Sequence, residues 1–174
     1  MTSLPAYAEL HCLSNFSFLR GASHAEELVA RAVELGYAAL AVTDECSFAG
    51  SVRAHLAARD AALQLIHGTE LQLACGMKLV LLAQNRAGYG NLSALVTLGR
   101  RRAEKGSYLL TRQDLAGWDG GGVPDCLALW LPPTEVNAGD ARWLAEHFAG
   151  RAWIACERHL RPDDHERLAG LREL

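Results

Sequence analysis

The chain has 174 residues, of which half are hydrophobic and 21% are charged, and its formal net charge is −3. This balance suits a folded domain and argues against a disordered tail or a generally basic nucleic-acid surface. Five cysteines without a CxxC pair exclude a zinc ribbon and a thioredoxin-type site. No apolar stretch is long enough to span a bilayer, and the N-terminus lacks the features of a signal peptide. We therefore expect a cytoplasmic protein of about one domain with reduced thiols.

Short apolar segments alternate with helical patterns along the chain. The apolar segments of strand length are 6–12, 37–43, 63–66, 78–83, 126–131 and 152–156. The helical patterns cover 23–36, 50–62, 88–102, 138–149 and the residues from 163 onward, with a short turn near 111–118. In the first helix, Ser23 stands three residues before Glu26 as in a capping box, and Gly36 marks the end. The alternation predicts a parallel α/β sheet or barrel.

The number of strands bears on which of these two architectures applies. A complete barrel of this class usually needs roughly 250 residues. The chain has about six predicted strands, and its last helical pattern has no cap before Leu174. We therefore expect the first part of a longer barrel, with an open sheet as the alternative.

Polar side chains follow the first three predicted strands at the point where each strand ends. They are His11 at the end of the first strand, Asp44 and Glu45 at the end of the second, and Glu70 at the end of the third. The carboxyl ends of parallel strands meet at one edge of a sheet, so these side chains should share one rim. A histidine with several carboxylates is a typical ligand set for zinc, manganese or iron. Alternatively, Asp44 caps a loop, Glu70 is solvated and His11 is an ordinary hydrogen-bonded residue.

Four segments in order resemble a known family. Residues 7–23, YAELHCLSNFSFLRGAS, are similar to the opening of the PHP domain (polymerase and histidinol phosphatase). The segments AVTD at 41–44, GTEL at 68–71 and KLVLLA at 78–83 follow in the family's order. More narrowly, the chain resembles the N-terminus of bacterial family C DNA polymerases of the polymerase III alpha type. SNFSFL at 14–19 and RHLRPDD at 158–164 look more like the error-prone, damage-induced alpha subunit than the replicative one.

The resemblance implies a fold and a role. PHP domains resemble a distorted (β/α)7 barrel, and active members hydrolyse phosphate esters with up to three metal ions. Residues 1–174 would form an incomplete version of that barrel, the N-terminal part of a longer polymerase subunit in DNA replication and damage-induced translesion synthesis. Its partners would be the remaining polymerase domains, other polymerase or translesion subunits, and DNA through the parent protein, with no membrane. The nucleotidyl-transfer carboxylates would lie downstream, so we expect this chain alone to be inactive.

The resemblance also implies a metal-ligand set, and the sequence departs from it. The residues that correspond to family ligands or replace them are His11, Glu45, Glu70 and His159. The second histidine of the family's His-x-His opening is Leu13 here, which cannot bind a metal. The histidine that follows Asp44 in the family is Glu45 here. We therefore expect a degenerate cluster with no cofactor, and zinc or manganese at partial occupancy is the alternative.

Two cations stand where the family has ligands. Arg20 replaces an acidic or histidine ligand, and Lys78 lies about where another histidine is often found. A fixed cation about 4 Å from a metal ion repels it by several kcal/mol at intermediate dielectric. We therefore predict that Arg20 and Lys78 pair with Glu45, Glu70 or Asp44 in place of metals. The alternative is that both side chains point to solvent.

Three functions follow from these readings. The first is a structural or docking PHP domain, the second a metal-dependent PHP phosphoesterase, and the third a plain α/β interaction module. Leu13 and Arg20 argue against the phosphoesterase, and the ordered family segments argue against the third function, the interaction module.

A basic cluster lies at the C-terminus of a predicted helix, where its charges complement the helix dipole. A contact with the DNA backbone is the alternative. Its members are Arg100, Arg101, Arg102 and Lys105.

Overall fold

The computed structural model describes residues 6–119, 121–158 and 160–174. In these ranges the strands are β1 (Ala8–Cys12), β2 (Ala39–Val42), β3 (Gln64–Gln72), β4 (Lys78–Ala83), β5 (Cys126–Leu131) and β6 (Ala152–Ile154). The helices are α1 (Ala25–Glu34), α2 (Ser51–Asp60), α3 (Arg86–Arg101), α4 (Arg112–Ala116), α5 (Ala138–His147) and α6 (Asp164–Arg172). Apart from the end of β3, these boundaries agree with the predicted ones to within two residues. None of these helices is long and apolar enough to cross a bilayer.

The six strands form one curled sheet in the order β1-β2-β3-β4-β5-β6. The pairs β1–β2, β2–β3 and β5–β6 are parallel, as predicted. The pairs β3–β4 and β4–β5 are antiparallel, so the expectation of an all-parallel sheet is wrong at β4. Only five residues connect β3 to β4, and so short a connection can join only antiparallel neighbours. Within it, Gly76 adopts a φ of +88° that favours glycine.

The antiparallel hairpin also explains why β3 is longer than predicted. The sequence suggests a short strand followed by polar residues, whereas β3 continues through Glu70 and Leu71 to Gln72. Its last five residues pair with β4, in register from Gly68 opposite Leu82 to Gln72 opposite Lys78. The first residue of β4 therefore lies at the same rim as the carboxyl ends of the parallel strands.

Both faces of the sheet are apolar in its middle. One face packs against the helices, with Trp130, Phe148 and Leu79 fully buried in the larger core. The concave face carries a smaller cluster around Val80 and Leu82. Four consecutive β4 residues, 79–82, are almost completely buried, as expected of a strand covered on both faces.

The curled sheet is an incomplete barrel, as predicted. In the described part of the chain, β1 and β6 are its edge strands. A cavity of about 1020 Å³ opens between them on the concave face. Its walls carry apolar side chains of β3, β4 and β5.

The start of α1 lies one residue later than the predicted capping box. The backbone N–H of His24 donates to the Glu27 carboxylate at 2.8 Å, so the box uses His24 and Glu27 instead of Ser23 and Glu26. The Ser23 carbonyl accepts from the Asn15 backbone N–H at 2.8 Å, which joins Ser23 to the preceding loop. At the other end Gly36, with φ +69°, follows the helix as predicted.

Candidate functional site

Five charged or titratable side chains from different parts of the chain meet at one rim of the sheet. We call them the rim cluster: His11, Arg20, Glu45, Glu70 and Lys78. β1 carries His11, the β1–α1 loop carries Arg20, the segment after β2 carries Glu45, β3 carries Glu70 and β4 begins with Lys78. Glu45 forms an isolated parallel bridge with Glu70, which draws the β2–α2 loop against β3. The rim that the strand ends predict for His11, Glu45 and Glu70 therefore forms.

Glu70 is the centre of the rim cluster, and its side chain is fully buried. One of its oxygens, Oε2, lies 2.8 Å from His11 Nε2 and 3.0 Å from Arg20 Nη2. The other, Oε1, accepts from Arg20 Nη1 and lies 3.6 Å from Lys78 Nζ. Burial alone would raise the pKa of Glu70, but hydrogen bonds from His11 and Arg20 and the charge of Lys78 lower it to about 2. Both oxygens are thus occupied by cationic partners or His11.

Arg20 bridges the two carboxylates of the rim cluster. Its Nη1 contacts Glu70 and also donates to Glu45 Oε2 at 2.8 Å. The hydrogen bond to Glu70 is the main cause of the raised pKa of Arg20, so the guanidinium stays charged. Two-point pairing of a guanidinium with a carboxylate is both stronger and more directional than a single contact. The predicted pairing of Arg20 and Lys78 with rim carboxylates is confirmed for Glu45 and Glu70.

His11 links Glu70 to a carboxylate that the sequence analysis missed. Its Nδ1 lies 3.1 Å from Glu157 Oε1, on the segment after β6. Burial disfavours the imidazolium, but the two carboxylates outweigh this and raise the pKa of His11 above its usual value. The contact joins the two edge strands of the open sheet. Glu157 follows a predicted strand just as Glu45 does, and this signal was available in the sequence.

Asp44 lies at the same rim but has a different role. Its carboxylate is 1% exposed and accepts from the Ser14 backbone N–H at 2.8 Å, from Ser14 Oγ at 2.7 Å and from Ser17 Oγ at 2.8 Å. Asp44 therefore fastens the β1–α1 loop, and its reading as a loop-capping residue is confirmed. In the described part of the chain, the carboxylate of Asp44 forms no ion pair with Arg20 or Lys78.

Two residues outside the predicted set hold Glu45 in place. Tyr108 donates its hydroxyl hydrogen to Glu45 Oε1 at 3.0 Å and accepts from the Gln72 backbone N–H at 2.8 Å. Arg100 donates to the carbonyl oxygens of Glu45 and Cys46, each at 3.1 Å. No local pattern marks either role, because the contacts that Tyr108 and Arg100 make with Glu45 connect residues more than 50 positions apart. Arg100 thus secures a loop and does not face outward with the rest of its basic cluster.

Removing the Tyr108 hydroxyl tests this support. We expect Tyr108→Phe to lower the free energy of unfolding by about 1 kcal/mol, because one hydrogen bond to Glu45 and one from Gln72 are lost while the ring is kept. Urea unfolding at neutral pH measures the effect. Tyr89→Phe is the matched control, since no hydrogen bond of that hydroxyl is seen among the described residues. Equal stability of the two variants would contradict a supporting role for Tyr108.

Comparison with known proteins decides the family. The sequence profile of the PHP domain matches residues 9–156. The chain belongs to the PHP domain family. The resemblance inferred from the four segments of the sequence is thereby confirmed.

Relatives of this PHP domain are named as error-prone DNA polymerases. The chain is 63% identical over 173 residues to the protein of Dechloromonas aromatica (strain RCB), covering 99% of the chain and 17% of the relative. It is 55% identical over 196 residues to that of Azoarcus sp. (strain BH72), covering 98% and 18%. With Bordetella parapertussis the identity is 57% over 178 residues, covering 93% and 17%. The chain thus spans about a sixth of the length of these relatives.

Solved structures support the fold of the PHP domain. A putative metal-dependent phosphoesterase from Bifidobacterium adolescentis superposes with a TM-score of 0.63 at 15% identity, covering 97% of this chain and 84% of that one. An amidohydrolase from Chromobacterium violaceum, with bound sulfate and no metal, gives a TM-score of 0.64 at 16% identity, covering 97% and 83%. Identities this low establish a shared fold and carry no conclusion about shared chemistry.

The donor set of this PHP domain does not suit the metals that its family implies. No group of three or more His, Cys, Asp or Glu side chains in the described ranges is arranged to hold a metal ion. Where a cation would sit between Glu45 and Glu70, the guanidinium of Arg20 makes the contacts. His159, the fourth predicted member of the degenerate set, lies outside the described residues. The fold brings His11, Glu45 and Glu70 together, and ion pairs and hydrogen bonds take the place that metal coordination would have.

Proposed function

We propose that this chain is the N-terminal PHP domain of an error-prone DNA polymerase III alpha-type subunit. Curated relatives at 63, 55 and 57% identity carry the name error-prone DNA polymerase, and each is about six times as long as this chain. The parent protein acts in DNA replication and damage-induced translesion synthesis in the cytoplasm. The remaining polymerase domains are its direct partners, and DNA and other translesion subunits are reached through them.

The role of the domain is structural and docking rather than catalytic. The observation that carries this proposal is the position of Arg20, whose guanidinium contacts both Glu45 and the buried Glu70. A permanent cation there neutralises the carboxylates that would otherwise repel each other. It also repels any metal ion brought to the same oxygens. The result is a rim whose charges are paired within the chain, and these pairs hold the five parts of the chain that form the rim cluster together without a cofactor.

Metal content and phosphatase activity test the proposal. We expect substoichiometric zinc and manganese by elemental analysis and no manganese-stimulated hydrolysis of p-nitrophenyl phosphate, because Leu13 and Arg20 remove two ligands. Two or more transition metals per chain together with manganese-stimulated hydrolysis would instead establish the alternative, a metal-dependent PHP phosphoesterase. One zinc at partial occupancy on His11 and Glu70 would leave the proposed inactivity intact.

A variant that restores ligands provides the positive control. Leu13→His combined with Arg20→Asp returns two donors and removes the competing cation. We expect zinc or manganese to raise the unfolding temperature of this double variant and not that of the parent, since a ligand that binds only the folded state stabilises it. Leu13→His alone keeps Arg20 and should respond more weakly. Absence of any metal response in the double variant would contradict the assignment of these two positions.

A further inference from the structure

Two adjacent apolar side chains protrude from the tip of the β1–α1 loop, next to the rim cluster. Phe18 is 81% exposed and Leu19 is fully exposed. Leu19 also has a φ of +63°, in the left-handed region that a leucine rarely adopts. A domain on its own gains nothing from holding two large apolar residues in water in a strained turn. Such strain is typical of functional positions that the surrounding structure over-determines.

The loop is held firmly on both sides of the tip. Ser17, just before it, is buried and donates to Asp44, and Arg20, just after it, is clamped by Glu45 and Glu70. Across the tip, the Ser17 carbonyl accepts from the Arg20 backbone N–H at 3.0 Å and from that of residue 21 at 2.9 Å. Phe18 and Leu19 are therefore presented outward by a rigid turn and cannot fold back onto the core.

A hollow adjoins the exposed tip. It has a volume of about 560 Å³, and Phe18, Phe16 and Tyr108 line it together with Glu45 and Arg100. Its charges are already compensated. Glu45 accepts from Arg20 and Tyr108, and Arg100 donates to backbone carbonyls. Arg100 is the one basic side chain in the lining, so the hollow lacks the free cations that a phosphate backbone requires. Ser17, Ser47 and Ser107 complete the polar part of the lining. The surface therefore fits an uncharged protein segment whose apolar side chains contact the exposed tip.

We infer that Phe18, Leu19 and this hollow form the site where the domain docks onto the polymerase portion of its own chain. The inference rests on the proposed function, in which about five-sixths of the polymerase lies outside residues 1–174, as the relatives' lengths indicate. A rigid, preformed apolar contact loses little conformational entropy on docking. An aromatic and an aliphatic side chain that protrude beside a hollow also match the anchors around which binding interfaces are built. The ion pairs of the rim cluster therefore also fix the direction in which Phe18 and Leu19 protrude.

Site-specific photo-crosslinking in the full-length polymerase tests the inference. The photoreactive residue p-benzoylphenylalanine replaces Leu19, the DNA-free enzyme is irradiated, and mass spectrometry identifies the joined peptides. The control replaces Val33, which is 42% exposed near the end of α1, where the chain returns to the strand ends opposite the rim. We expect position 19 to join peptides of the same chain outside residues 1–174 well above the level at position 33. Crosslinks only within residues 1–174, only to a second copy, or no stronger than the control would overturn the inference.

A second measurement does not depend on the photoreactive residue. Phe18→Ser combined with Leu19→Ser should lower the unfolding temperature of the full-length polymerase by about 3 °C or more, because the docked contact is lost. Val33→Ser should leave it within about 1 °C, as expected of a partly exposed surface position. Equal unfolding temperatures for the double variant and the parent would contradict docking. If the double variant is as stable as the parent while the protein binds no metal and shows no phosphatase activity, only the docking site is contradicted. Bound metals together with phosphatase activity would instead contradict the proposed function.

Discussion

Replacing Arg20 by alanine is expected to lower the free energy of unfolding by about 2 to 3 kcal/mol. The change removes two hydrogen bonds from the fully buried Glu70 and one from Glu45, leaving carboxylates that repel each other. Breaking a fully buried pair in this way costs about 3 to 5 kcal/mol. The expected loss is smaller because the Arg20 side chain is 33% exposed and because His11 and Lys78 still contact Glu70. Urea or thermal unfolding at neutral pH measures it.

Arg31→Ala is the matched control for this experiment. Arg31 pairs with Glu34 at 2.8 Å, the same distance as between Arg20 and Glu45, but both side chains of the control pair are about two-thirds exposed. Removing an exposed helix pair should change stability by less than about 0.5 kcal/mol. If Arg20→Ala proves as mild as Arg31→Ala, the rim cluster contributes no more than a surface ion pair. The view that Arg20 takes the place of metal charge would then be wrong.

Glu70→Gln is expected to have a similarly large effect and to change how stability depends on pH. The folded-state pKa of Glu70 is lowered from its ordinary 4.5 to about 2, by hydrogen bonds and nearby cations that outweigh the opposing effect of burial. A lowered pKa means that this carboxylate stabilises the fold fully above about pH 4.5 and loses that contribution as pH falls towards 2. The shift corresponds to a loss on the order of 3 kcal/mol for the variant near neutral pH.

The measurement is a series of unfolding curves from pH 2 to 9. Stability of the parent should fall steeply below about pH 4.5, whereas Glu70→Gln should start lower and show a shallower acid slope. His11 acts in the opposite sense, since its raised pKa gives stability that is complete below its ordinary value of 6.5 and is lost as pH rises through the folded-state pKa. Glu34→Gln, in the exposed pair, is the control and should keep the acid slope of the parent. If stability falls equally steeply with acid in Glu70→Gln and in the parent, Glu70 is not the group whose protonation destabilises the fold at low pH.

The sequence alone determined the order of the elements and the residues that share the rim. Strands β4 and β5 begin and end where the apolar segments 78–83 and 126–131 predict, because both faces of each strand are apolar, although β5 is fully buried on one face only. His11, Glu45 and Glu70 could be placed together because local pattern locates the strands that they end or follow, although β3 extends further than its apolar segment predicts. The resemblance to the PHP family identified Arg20 and Lys78 as cations at positions near the rim carboxylates. Opposite charges then predict that these cations pair with the carboxylates.

Only the tertiary structure decided the direction of β4 and the contacts of each rim side chain. The short β3–β4 connection forces an antiparallel pair, which brings Lys78 to Glu70 at the rim. Glu70 is fully buried and not solvated because the loops that carry Arg20 and Glu45 close over it. Glu157, 146 residues from His11, and Tyr108, 63 residues from Glu45, become partners through the curl of the sheet. Periodicity reports which face of an element is buried, whereas contacts between residues this far apart depend on how the elements pack, which no local pattern encodes.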